Sequence, residues 1–220
     1  MGQRSRMWVA LAVLAACCLP GQVIRFESGG LKYQSQSKQG VTVMFAQLPA
    51  HLRDYSILQV GVMNGSEEAC TVRPEDFSFR REDGTIIFAE PARTVVDHLL
   101  EHAGRDDVIK LISTYEMGLS GITRFRSTNG YEQRRQAFLA EMGASKLKAA
   151  ATASAIALVS TRLAAGESTD GAVFFLTGGK PLGPGYLKAR AAGQLFEFES
   201  EASSSGKVLQ QRPAPPSPAN

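Results

Sequence analysis

Two of the chain's three histidines fall within five residues, His98-Leu-Leu-Glu-His102. On a helix, positions 98 and 102 lie one turn apart on one face, so both imidazoles could meet a single Zn²⁺. Glu101, three residues from His98, lies near enough to activate a metal-bound water. Such a site needs a third ligand from another element, and Glu132 or Glu141 could supply it. The surroundings favour a plainer role. At about 100° per residue, the apolar stripe of this segment centres near Val96 and Ala103, which puts His98 roughly 150° and His102 roughly 110° away. Asp97 and Glu101 make the same surface polar. The expectation is therefore a solvated face, with metal chemistry as the alternative.

The pentapeptide matches H-x-x-E-H, the signature of the inverted zinc peptidases. That resemblance implies zinc as cofactor, His98 and His102 as ligands, and Glu101 as the catalytic base. It covers five residues only. The enzymes that carry the signature sit in larger α/β domains, and their third ligand lies farther downstream than Glu132 or Glu141 does here.

A second reactive position is Cys17. Arg4 and Arg6 form a basic start, and Trp8 to Ala16 is an apolar run too short to span a bilayer. Leu14-Ala15-Ala16-Cys17 resembles the lipobox of bacterial lipoproteins: a branched apolar residue, two small ones, then the cysteine that receives lipid. The resemblance implies cleavage after residue 16 and an acylated Cys17 anchored in a membrane. Cys18 is an uncommon neighbour, and an ordinary secretory signal cut near Gly21 is the alternative. The net charge of +3 includes Arg4 and Arg6, so without residues 1–16 it becomes +1. A balance that close to neutral gives no footing for nucleic acid.

Other candidates weaken quickly. Gly178-Gly-Lys180 lacks the framing of a phosphate loop. Ser160 and Ser168 have no nucleophile-elbow context. Cys70, in a strand signal with no histidine nearby, is expected to be a small buried hydrophobe. Arg124, Arg126, Arg134 and Arg135 form a basic cluster that would suit an acidic partner or anionic headgroups.

The elements that would position these residues change character along the chain. Residues 17–40 contain Gly29-Gly30 and a run of Gln, Ser and Lys, and read as a tether. From Val41 to Pro91, short stretches rich in strand formers alternate with turn signals, among them Asn64-Gly65 and Asp83-Gly84. Residues 92–157 switch to helical periodicity, with a break near Gly104 and an alanine-rich second half, as in a helical hairpin. Strand signals return over 158–200. The Ser- and Pro-rich residues 201–220 are expected to be disordered.

Ile57 to Val62, Asn64-Gly-Ser66, Pro74, Asp76-Phe77, Asp83-Gly84, Gly166-Glu167 and Gly171-Ala-Val-Phe-Phe175 follow a recurring order of strands and turns. Together they resemble the immunoglobulin-like sandwiches of exported bacterial lipoproteins. The resemblance implies a mainly β fold, an immunoglobulin-like antiparallel β-sandwich over 41–91 and 158–200, interrupted by the helical insertion. Phe77, Phe79, Phe174 and Phe196 are expected to face inward. The functional expectation is a non-enzymatic lipoprotein of the cell envelope, a binding or assembly module whose insert meets a partner. A zinc-dependent hydrolase is the alternative.

Overall fold

A computed structural model describes residues 21–104, 106–111 and 145–200. Residues 1–16, expected to be a signal peptide, Cys17, Cys18, the 112–144 part of the insertion and the tail 201–220 lie outside the described residues. Among the described residues there are eleven strands: β1 Val23–Ser28, β2 Leu31–Lys38, β3 Val41–Leu52, β4 Tyr55–Asn64, β5 Cys70–Val72, β6 Phe77–Arg81, β7 Ile86–Glu90, β8 Thr161–Leu163, β9 Ser168–Leu176, β10 Gly185–Ala191 and β11 Gln194–Ser200. Helices occupy Ala92–His102 (α1), residues 106–111 (α2) and Ser145–Ile156 (α3).

Nine strands form one sheet in the order β1-β2-β3-β4-β9-β7-β6-β10-β11, every ladder antiparallel, while β5 and β8 pair separately. The sheet folds over on itself into a sandwich that nearly closes as a barrel. Its seam is made by side chains rather than a ladder. On β2, Gln34 donates to the Glu199 carbonyl at 2.6 Å and Lys38 donates to that of Leu195. Those carbonyls lie on the outer edge of β11, so the two side chains cap groups that an edge strand would otherwise leave unpaired.

Strand alternation divides the apolar residues between two cores. Val41, Val43 and Phe45 of β3, Leu58, Val60 and Val62 of β4, and Val173 and Phe175 of β9 point inside the folded sheet. There they meet Phe77, Phe79, Leu187, Phe196 and Phe198. The opposite face of the same strands carries Leu48, Leu52, Tyr55, Ile57 and Phe174. Val95 and Leu99 of α1, Leu111 of α2 and the alanines of α3 cover it. Tyr55–Asn64 and Ser168–Leu176 are buried on both faces along nearly their whole length, and within them residues 60–63 and 171–176 read as continuous apolar runs.

The mainly antiparallel sandwich with a helical insertion is the architecture the sequence implies. Four details differ. The supposed tether contains β1 and β2, joined through Gly29 and Gly30 at φ 59° and 77°. Their Lys, Gln and Ser positions face solvent or the seam, which hides the alternation. Phe174 lies in the core under the helices, whereas Phe77, Phe79 and Phe196 lie in the inner one. Asn64-Gly65 does not use the positive φ expected of it: Asn64 ends β4, and neither residue has positive φ. Asp83-Gly84 is a tight turn: Gly84 sits at φ 87°, and the Asp83 carboxylate accepts the Thr85 N–H at 2.8 Å, which lowers its pKa. Finally, Gly171 is not at a bend but mid-strand, where the Ala157-Leu158 segment runs beside β9.

Candidate functional site

Helix α1 starts at Pro91, whose fixed φ and missing N–H suit a helix N-terminus. Its buried stripe centres on Val95 and Leu99, with Val96 only partly buried. That centre lies roughly 70° nearer His98 than the sequence pattern suggests. His98 therefore flanks the buried face. Its ring packs edge-on against Tyr55 with centroids 5.4 Å apart, and its Nε2 lies 3.5 Å from the Asp54 carboxylate.

His102 stacks on His98, with centroids 4.7 Å apart and ring planes 28° apart. Its Nδ1 donates to the His98 carbonyl at 3.1 Å. Stacked rings present faces to each other, whereas ligands of one metal ion point nitrogen lone pairs at a common centre. Glu101 is exposed, 3.8 Å from His102, and its carbonyl accepts from Lys146 of α3. Among the described residues, no group of three or more His, Cys, Asp and Glu stands together as metal ligands would. Glu132 and Glu141, the third ligands considered from sequence, lie outside the described residues, as do Arg124, Arg126, Arg134 and Arg135.

The surroundings of His98 come from elements far apart in sequence. Asp54 belongs to the β3–β4 turn, where Arg53 adopts φ 49°. The Arg53 guanidinium bonds the Asp107 carboxylate at 2.8 Å, and the same carboxylate accepts the Gly104 N–H at 2.7 Å. One buried acid thus ties the sheet turn to the α1–α2 junction. Tyr55 is buried, and its hydroxyl donates to Glu90 at 3.1 Å. Burial, and then the Glu90 charge, raise its pKa well above the ordinary phenol value. This constellation of Asp54, Tyr55, Glu90 and His98 is absent from sequence reasoning because no local spacing links its members.

The helical layer has a second character. Val95, Leu99, Leu111, Ala149 and Ala153 turn inward, yet Leu100, Ile109 and Leu147, one on each helix, stay exposed at 40%, 59% and 43%. Lys146 links Leu147's neighbourhood to that of Leu100 through its bond to the Glu101 carbonyl at 2.5 Å. Each of the three helices thus leaves one large apolar side chain exposed.

The other end of the sandwich holds an open cleft of about 790 Å³, lined by Gln39, Gly40, Ser66, Glu67, Cys70 and Gln194 among others. Cys70 is buried, with no disulfide partner among the described residues, and burial raises its pKa. Its burial is that of the small hydrophobe expected at this position.

No family model matches this chain. No curated protein matches it either. Among solved structures it is similar to the crystal structure of the yjhA protein from Bacillus subtilis, at 10% identity over 76% of each chain and with a TM-score of 0.30.

Proposed function

We propose that this protein is a non-enzymatic binding or assembly module of the bacterial envelope, anchored through Cys17, whose helical insertion meets a protein partner. The observation that carries the reading is the exposed apolar triplet Leu100, Ile109 and Leu147 on a helical layer held over a double-faced sheet. The sheet fixes the helices from below, so the insertion presents its outer side on a rigid support. The basic residues Arg124, Arg126, Arg134 and Arg135 belong to the same insertion and would add charge selectivity for an acidic partner. The histidine pair serves packing in this reading, with His98 seated on Tyr55.

A photo-crosslinking amino acid at Leu100 or Leu147 tests the binding face, with Lys188 on the uncovered side of the sheet as control. In native envelopes the helical positions are expected to give one discrete adduct, lost in a Leu100→Asp, Leu147→Asp double variant that still folds. Equal labelling from Lys188, or no adduct at all, would overturn the reading. The anchor is checked separately: Cys17→Ala should abolish acyl labelling. Zinc bound at one equivalent and lost in His98→Ala would turn the reading toward the hydrolase.

A further inference from the structure

The sequence pattern makes residues 17–40 a tether, but the fold takes up that stretch from residue 21 onward. Gly21 is already seated against β2: its carbonyl accepts from Gln36 Nε2 at 2.6 Å, and a Cβ there would run into the Ser37 carbonyl oxygen. Resting on the anchored reading proposed above, we infer that the end of the sandwich holding the β2–β3 turn lies directly on the lipid headgroup layer, with the junction of α1 and α2 turned away from the bilayer. Only Cys18, Leu19 and Pro20 separate Cys17 from Gly21. That spacing reaches at most about 14 Å, and a tether running to residue 40 would have reached several times farther. An acylated Cys17 stands where acyl chains meet headgroups, and the headgroup layer on one side of a bilayer is roughly 5–8 Å deep. Gly21 is therefore held within about 10 Å of the headgroup surface.

The direction of the chain fixes which end this is. β1 and β2 run antiparallel with Val23 opposite Gln36, so the start of β1 lies near Lys38, next to the β2–β3 turn at Gln39 and Gly40. Two further loops share this end. Gly65 of the β4–β5 connection donates its N–H to the Gly40 carbonyl at 2.9 Å, and the Gln194 amide at the start of β11 donates to the Gln39 side-chain oxygen at 2.7 Å. Together they rim the open cleft described above. Gln39, Glu67, Glu68 and Gly193 are exposed there. Polar groups of this kind hydrogen-bond with headgroups but are costly to bury in hydrocarbon, so the end rests on the surface without entering it. Carboxylates gain nothing from anionic lipid, which assigns the contact to the short spacer rather than to attraction. The opposite end carries the β3–β4 turn. β3 is 12 residues long, on the order of 35 Å. At its far end Arg53 bonds Asp107 of α2 at 2.8 Å, and Asp54 lies 3.5 Å from His98 of α1. The α1–α2 junction thus stands about a strand's length off the bilayer, where a partner outside the lipid surface reaches it.

Fluorescence quenching in vesicles tests the orientation. The full-length acylated protein is reconstituted in phosphatidylcholine–phosphatidylethanolamine vesicles whose headgroups carry a contact quencher. A fluorescent amino acid stands at Glu67, at Gln194 or, as the far-end control, at Lys180, which follows Gly179 beside the Arg53 carbonyl. Glu67 and Gln194 are expected to be quenched severalfold more than Lys180. Inserting about 20 Gly and Ser residues between Pro20 and Gly21 adds roughly 25 Å of average reach and should bring both down to the Lys180 level. Acylated protein in which Lys180 is quenched as strongly as Glu67 and Gln194 would overturn the inference and leave the anchor standing. Quenching at Glu67 that survives the insertion unchanged would overturn it too, because the surface and not the spacer would then hold this end down. Mass spectrometry of the mature N-terminus separates the two failures: a chain without an acyl group on Cys17 overturns the anchored reading itself, and the orientation with it.

Discussion

Asn64 joins two loops through one amide. Its Nδ2 donates to the carbonyls of Glu68, Leu163 and Ala164 at 2.7, 3.2 and 3.2 Å, and its Oδ1 accepts from the Ser66 hydroxyl at 2.6 Å. The β4–β5 and β8–β9 connections are thereby held side by side. Asn64→Ala leaves buried carbonyls without a donor, and a loss of about 2–3 kcal/mol is expected in urea unfolding. Tyr55 makes a prediction about alkali. Its folded pKa is raised above 10.0, the value of an unperturbed phenol, and burial pushes that of Tyr33 up to about 12. Above pH 10 the unfolded chain loses these protons first, so stability is intact below that point and falls as pH rises, by ~1.4 kcal/mol per pH unit for each tyrosine. Tyr55→Phe gives up the bond to Glu90, costing about 1–2 kcal/mol at neutral pH. In return its stability should fall less steeply above pH 10, which denaturation at a series of alkaline pH values would measure.

At the scale of elements, the join between helix and sheet depends on Gly171. A Cβ there would meet Leu158 Cα and N at 2.6 Å, atoms of the backbone that cannot swing aside. Gly171→Ala is expected to push the α3 exit away from β9 and to cost about 3 kcal/mol in denaturant unfolding, although alanine is otherwise the milder residue in a strand. The glycine was visible in sequence, but its reason was not, because Leu158 approaches only in three dimensions. The same division runs through the fold. β3, β4, β9 and β11 were legible from strand formers between turn signals, and α1 from its periodicity with a break at Gly104. β1, β2 and β10 escaped notice because Tyr33 and Leu187 alternate with Lys, Gln and Ser, so pairing rather than local hydrophobicity decides them. For the candidate site, the pentapeptide announced His98, Glu101 and His102. Asp54, Tyr55 and Glu90 did not announce themselves, since hairpin register alone brings them to α1.

For the whole molecule, the question is whether helical layer and sandwich are one cooperative unit. β4 and β9 answer it physically. Phe175 faces the inner core and Phe174 the core under the helices, and on β4 Leu58 and Ile57 divide in the same way. Neither core can lose its packing without baring the backs of the strands that build the other. Leu99 lies fully buried beneath α1, and Phe196 fully buried inside the sandwich. Truncating buried side chains of this size costs about 2–5 kcal/mol for leucine and 3–5 for phenylalanine. If the two cores were separate foldons, Leu99→Ala would release the helices in an early transition and leave the sandwich midpoint unmoved. Shared strands demand otherwise. Both Leu99→Ala and Phe196→Ala should lower the midpoint of a single transition, with far-UV and near-UV circular dichroism coinciding in each variant. Two resolved transitions in Leu99→Ala would show that the insertion melts on its own, and the rigid support assigned to its exposed leucines and isoleucine would then be lost.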